Sequence, residues 1–129
     1  MSQFVAERVE NALVRNPAAL LNEVADYIEE HGKARGMYER PNGMVCVIGG
    51  VRKVVDARFR AGLPESLPGV INYNLRSRAE AACQRVLSAS GVMGKATNVI
   101  SWSDNHNKET VVKALREAAR WSQEHEVRA

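Results

Sequence analysis

The stretch NPAALLNEVADYIEEHG, residues 16–32, carries the pattern of an amphipathic helix together with both of its ends. Asn16 is a good capping residue, and proline, here Pro17, is best tolerated at the first helical position. Large aliphatic side chains recur at helical spacing on one face, acidic and amide side chains occupy the other, and Gly32 follows as a terminating residue. We therefore predict a helix with its apolar face in the core. The side chains expected to be buried together there are Leu21, Val24 and Ile28.

Helical spacing of apolar residues recurs on both sides of this segment. It predicts a helix over residues 3–14, a helix over residues 50–61 that stops at Gly62, and a last helix after Asn107. Between Ser77 and Gly91 the spacing predicts a further helix, which the capping-box pattern Ser-x-x-Glu opens at Ser77, with Asn74 as an earlier alternative cap. Two prolines and two glycines between residues 62 and 73 indicate a surface connection.

The segment from residue 32 to residue 48 interrupts the helical period. Asn42-Gly43 tolerates the positive backbone angles of a tight turn, so the chain is expected to reverse direction there. The following residues, 44–48, are apolar and β-branched, and both a strand and the buried start of a helix fit them. We favour a short extended segment that leads into the next helix, with room for one short β-hairpin near residues 37–48.

Together these elements predict a mainly α fold, a compact bundle of about five helices that forms a single domain over residues 1–129. Residues 123–129 are expected to fray. Trp102 and Phe59 have the apolar area of core anchors. The polar residues after Trp102 favour a buried turn in which Asp104 or Asn107 caps the last helix.

Composition predicts a soluble cytoplasmic protein. The chain has 129 residues, of which 45% are hydrophobic and 26% charged, and no stretch approaches the roughly 18 consecutive apolar residues that a membrane span needs. Cys46 and Cys83 both lie among apolar neighbours, which is typical of reduced, buried thiols. We expect no membrane association. The net charge of +3 is too small to indicate nucleic acid by itself.

Two short motifs resemble those of a known family. The segment Cys46-Val47-Ile48-Gly49-Gly50 is similar to a Cys-x-x-Gly-Ala entry into a helix, with Gly50 in place of the alanine. Trp102-Ser103-Asp104 is similar to a Trp-Asn-Asp turn before a last helix, with Ser103 in place of the asparagine. The pair resembles a family of small uncharacterised proteins from actinobacteria and their phages. The resemblance spans the chain from about the second helix to Ala119 and implies no established activity.

One catalytic hypothesis is a thiol hydrolase. Cys46 would be the nucleophile ahead of a helix N-terminus, His106 the base, and Asp104 or Asn107 the group that orients the base. The competing interpretation is structural, because a cysteine between two valines usually serves packing and Asp104 or Asn107 suffices as a helix cap. The cysteines and histidines lack the short paired spacing of zinc ligands, so we expect no metal and no cofactor.

A basic helical face is the second functional signal. One helix carries four cations, and further arginines follow on the next. The candidate residues for nucleic-acid binding are Arg52, Lys53, Arg58, Arg60, Arg76 and Arg78, with Arg85 beyond them. The bend at Gly91-Val92 is similar to the turn of a helix-turn-helix, although a helix after it would have to include Gly94. Exposed arginines are more often a solvated face.

These observations favour a non-catalytic accessory protein that binds another protein. DNA binding through the basic face ranks second, and thiol hydrolysis by Cys46 and His106 ranks third. The sequence leaves the identity of the partner and the oligomeric state open.

Overall fold

The helix predicted from residues 16–32 is present in the computed structural model as α2, Pro17–His31. The structure describes residues 2–63 and 71–125. In that part of the chain there are six α-helices, and the first continues directly into a π-helical segment, called the π segment below, over Glu10–Val14. The other helices are α1 (Ser2–Val9), α3 (Val47–Ala61), α4 (Tyr73–Ser90), α5 (Val99–Asp104) and α6 (Lys108–Glu124).

α2 is the central element of the bundle. It packs most extensively on α6 and also touches α3, α4 and the π segment. The side chains of Leu21, Val24 and Ile28 are fully buried, which confirms the predicted apolar face. Trp102 and Phe59 are also buried in the shared core, as expected for anchors. The fold is thus a mainly α bundle.

Asparagine side chains begin four of the helices. Asn16 accepts from the amide of Ala19, and Asn107 accepts from that of Thr110 at 2.9 Å, which confirms the first cap and one of the two caps proposed for the last helix. Asn72 caps α4, so the capping box at Ser77 was the wrong start. Asn72, five residues before Ser77, already accepts the hydrogen of the Leu75 amide at 2.9 Å, so Ser77 lies within the helix.

Residues 91–107 also differ from the prediction. Gly91 ends α4 in the left-handed conformation, a turn follows, and Asn98 caps a short helix, α5, where a turn alone was expected. A helix-turn-helix would need its second helix close after the bend at Gly91. Gly94 has a φ of +61° and belongs to the turn, so the next helix begins only at Val99.

Residues 32–46 form the connection between α2 and α3. Gly43 closes a turn by donating to the Arg40 carbonyl, and Glu39 and Val45 form one antiparallel bridge. The predicted hairpin is therefore reduced to a single bridge, without a strand in the described residues. Val45 has a second, parallel bridge with Lys33. The helix that follows begins at Val47, earlier than the predicted residue 50, because Cys46 serves as its cap.

Two expectations concern residues that are only partly described. The predicted surface connection over residues 62–73 includes residues 64–70, which lie outside the described part. The predicted frayed tail begins at residue 123, but Gln123 and Glu124 belong to α6. Residues 126–129 lie outside the described part.

Candidate functional site

The Cys46 motif lies against the loop that precedes it. The Sγ atom of Cys46 accepts the amide hydrogen of Gly49 at 3.4 Å, and the Cys46 amide donates to the carbonyl of Tyr38 at 3.1 Å. A Cβ atom on Gly49 would overlap that same Tyr38 carbonyl oxygen. Glycine is therefore required at position 49 for the close approach of helix and loop.

The Trp102-Ser103-Asp104 motif occupies the end of α5 and meets the Cys46 motif. The Ser103 hydroxyl accepts from the Val47 amide at 3.3 Å, and the Ser103 carbonyl accepts from the ammonium group of Lys33 at 2.6 Å. A carboxylate oxygen of Asp104 accepts from the Gly36 amide at 3.0 Å. The two motifs, far apart in sequence, thus join α3, α5 and the connection 32–46. We call this cluster the motif junction.

Burial dominates the environment of the Cys46 thiol in the motif junction. Cys46 is 1% exposed, and burial is the largest effect that raises the pKa of its thiol, opposed by hydrogen bonds from the first amides of α3. Asp104 raises this pKa further. The helix N-terminus was expected to depress the pKa, but desolvation of the thiolate outweighs it. Cys83 is more deeply buried, and burial raises its pKa to about 12.

His106 and Asp104 do not form the expected catalytic pair with Cys46. The Nδ1 atom of His106 lies 2.7 Å from the carbonyl oxygen of Trp102, and its ring packs on the Trp102 ring. The carboxylate of Asp104 binds the Gly36 amide. Within the described residues, no hydrogen bond joins His106 to either Cys46 or Asp104. The fold therefore gathers Cys46 and Asp104 in one region, where each accepts a hydrogen bond from a backbone amide.

Carboxylates of the chain itself neutralise most of the predicted basic residues. The guanidinium of Arg58 binds Glu23 through two nitrogens, and that of Arg76 binds the buried Asp56, which raises the pKa of Arg76. Arg60 is exposed and forms no ion pair with the described residues. The remaining pairs are Arg52 with Glu80, Lys53 with Glu39, and Arg78 with Glu10.

These pairs also lie on different sides of the bundle. Arg58 of α3 reaches α2, whereas Arg52 of the same helix reaches α4, and Arg78 of α4 reaches the π segment. The predicted cations therefore contact carboxylates on different elements of the bundle. Spacing along the sequence placed them together, but their carboxylate partners come from other elements that the sequence pattern could not locate.

A groove that the sequence pattern did not predict lies between the π segment and α4. Its volume is about 310 Å³, and it combines an apolar floor with arginines from both elements. We call it the arginine groove; it is lined by Glu10, Val14, Arg15, Arg78, Ala81, Ala82 and Arg85. The sequence gives no sign of this groove, because the spacing of apolar residues over 3–14 does not distinguish a π-helical turn from an α-helical one.

The arginine groove continues towards the beginnings of α1 and α4. A second groove of about 490 Å³ shares Glu10 and Arg78 with it and extends to Ala6 on α1 and Asn72 before α4. Large apolar side chains stand exposed at this end of the bundle. We call them the exposed apolar set; it consists of Phe4, Ile71 and Tyr73, of which Phe4 and Tyr73 are each 70% exposed.

A third groove lies between α2 and α3, with a volume of about 390 Å³. Acidic side chains of α2 and basic side chains of α3 line it together, and Arg58 and Glu23 pair within it. A neighbouring depression of about 600 Å³ shares Tyr27 and Lys53 with it. The charges of both signs offset one another here, which leaves less attraction for a charged partner than in the arginine groove.

No group of three or more His, Cys, Asp or Glu side chains in residues 2–63 and 71–125 could hold a metal ion. Over the same residues, no helix is both long enough and apolar enough to cross a membrane.

Comparison with known proteins yields one family. Residues 13–120 match a family model described as "Family of unknown function (DUF6197)". This match includes both motifs, α2 to α5, α6 as far as residue 120, and the arginine groove except for Glu10. No curated protein matches the chain, and no solved structure does.

Proposed function

The chain belongs to this family of unknown function, and from that premise we propose that it is a non-catalytic protein that binds another protein. The proposal adds an accessory role in the host cytoplasm of an actinobacterium or its phage, the source that the resemblance of the two motifs suggests. The observation that carries it is the exposure of Phe4 and Tyr73, each 70% accessible to solvent. Tyrosine is enriched among the residues that dominate protein interfaces.

The exposed apolar set lies at one end of the bundle. Val5, next to Phe4, packs against Gly62 at the end of α3, and residues on both sides of Tyr73 line the groove that α1 shares with α4. Leaving large apolar side chains in water forgoes about 1.5–3 kcal/mol per side chain that burial would supply. A partner protein that covers Phe4 and Tyr73 would recover that free energy.

Thiol hydrolysis has less support as an alternative. A buried thiol with a raised pKa is mostly protonated at neutral pH, and the thiolate is the nucleophile. His106 is held by the Trp102 carbonyl within its own turn. A hydrolase would require the motif junction to open before Cys46 could meet a substrate.

Nucleic-acid binding is the second alternative. Arg52, Lys53, Arg58, Arg76 and Arg78 are each paired with a carboxylate, so an incoming phosphate would have to displace an internal partner. Affinity for DNA grows with the number of phosphates that free cations neutralise. The ion pairs thus reduce the attraction that the sequence pattern suggested.

Site-specific crosslinking tests the protein-binding proposal. A photoreactive phenylalanine analogue would replace Phe4 or Tyr73 in the full chain, with the same analogue at Gln123 of α6 as the control, since Gln123 is also exposed. After irradiation in lysate of the host organism, we expect one protein to be crosslinked from both Phe4 and Tyr73 and not from Gln123. The same product from all three positions, or none from Phe4 and Tyr73, would contradict the proposal.

A further inference from the structure

We propose that the arginine groove binds an acidic segment of the partner protein, an inference that rests on the proposed function and names the chemistry of the partner. Its occupant would place carboxylates on Arg15 and Arg85 and apolar side chains on the floor between them.

Two of the arginines in the groove are available to an external anion. Arg15 and Arg85 are exposed, and neither forms an ion pair within the described residues. Arg78 is held by Glu10 at 2.6 Å, which neutralises both charges. The groove therefore presents a net positive charge. Elsewhere on α3 and α4, Arg52, Arg58 and Arg76 have carboxylate partners within the chain.

The π segment, which lines one side of the groove, has an unusual backbone conformation. The amide of Arg15 donates to the carbonyl of Glu10 at 2.9 Å, which is the five-residue hydrogen bond of a π-helix. This wide turn sets the backbone position from which the Arg15 side chain extends. It also buries Val14 beside the groove. π-helical turns are rare and occur frequently at functional sites. Here the π segment coincides with one wall of the groove.

The dimensions favour a protein segment over a nucleic acid. The groove holds about 310 Å³ and its floor includes Val14 and Ala82, which suits a few apolar side chains. Only Arg15 and Arg85 are unpaired there, whereas a protein that binds DNA tightly makes roughly 6–10 phosphate contacts. Carboxylates alternating with apolar side chains match the groove better than a phosphate backbone does.

The arginine groove is continuous with the surface of the proposed function. The adjoining groove shares Glu10 and Arg78 with it and ends between α1 and α4, beside the exposed apolar set. One bound segment can therefore contact Phe4 or Tyr73 at one end and the two arginines at the other. Charge complementarity along this surface would fix the direction in which the segment lies.

Direct binding of defined probes tests the acidic segment. The probes are a fluorescein-labelled synthetic amphipathic peptide with one leucine face and one glutamate face, the same peptide with lysine in place of glutamate, and a DNA duplex of similar length. Fluorescence polarisation would be measured at low and at physiological salt. The proteins are the wild type, the double variant Arg15→Glu/Arg85→Glu, and Arg120→Glu, an exposed arginine of α6 outside the groove.

We expect the glutamate peptide to bind the wild type and the Arg120→Glu variant equally, and the double variant about tenfold or more weakly, with an affinity that falls as salt rises. The lysine peptide should not bind. Circular dichroism would check folding, and Arg15→Gln/Arg85→Gln would replace the double variant if the latter failed to fold. Equal binding of the two peptides, no binding of the glutamate peptide, or tighter binding of the duplex through Arg15 and Arg85 would each overturn the inference.

Combining this assay with crosslinking separates the two proposals. Crosslinks from Phe4 and Tyr73 that persist in the double variant, without binding of the glutamate peptide, would refute the acidic segment and leave the proposed function in place. Peptide binding that depends on Arg15 and Arg85, without any crosslink from Phe4 or Tyr73, would contradict the proposed surface and support the groove.

Discussion

Replacing Gly49 by alanine should destabilise the protein through a clash with backbone. The added Cβ would overlap the carbonyl oxygen of Tyr38, and this oxygen also accepts the amide hydrogen of Cys46. The loop or the helix must therefore move, and the buried Cys46 amide loses its partner. The substitution therefore acts within the motif junction, where α3 meets the loop at Tyr38.

The magnitude follows from three contributions. Overpacking typically costs about 1–3 kcal/mol, and an unsatisfied buried amide costs about 1–3 kcal/mol. Alanine in a helix recovers about 1 kcal/mol relative to glycine. We therefore expect Gly49→Ala to lower the free energy of unfolding by about 1–5 kcal/mol, which for a chain of this size shifts Tm downward by roughly 4 °C per kcal/mol.

Gly50→Ala is the matched control. Gly50 is the next residue of α3, so its replacement gains the same helix propensity, but its Cβ would meet a side-chain methyl of Val24 at 2.9 Å instead of a backbone oxygen. Val24 is buried and β-branched, so Gly50→Ala also carries an overpacking cost, but it displaces no backbone hydrogen-bond acceptor. Thermal unfolding followed by circular dichroism should place Gly49→Ala below Gly50→Ala in Tm. A Gly49→Ala protein as stable as the wild type would refute the close approach.

Three further predictions concern the buried core, the cap of α6 and the thiol of Cys46. Leu21→Ala should cost about 2–5 kcal/mol in urea unfolding, because Leu21 is fully buried; unchanged stability would contradict its burial on α2. Trp102→Ala should cost about 3–5 kcal/mol, against about 0.5–2 kcal/mol for Asn107→Ala, which removes only a helix cap; the reverse order in the same assay would contradict the packing of Trp102. Alkylation of Cys46 should stay slow at neutral pH, since burial raises the pKa of its thiol and the thiolate forms only as pH rises further; rapid alkylation of the folded protein at pH 7 would revive the thiol hydrolase.

The candidate site residues show what spacing along the sequence can and cannot predict. Cys46 and Asp104 could be singled out from sequence, and the structure places them in one region. Their further contacts followed only from the fold, because Tyr38 and Gly36 contribute backbone groups of the connection 32–46, which spacing does not place. The pKa of Cys46 depends on burial, which is a property of the packed bundle.

The sequence by itself determined the central helix α2 of this protein. Apolar residues at helical spacing and an asparagine before a proline specify α2 and its cap through contacts within a few residues. Only the tertiary structure decided which charged side chains form ion pairs, for example Arg58 with Glu23 and Arg78 with Glu10. It also decided that Arg15 and Arg85 meet across one groove, with a π-helical turn on its wall. Long-range packing fixes these features, and side chains distant in sequence become neighbours only when the core is assembled.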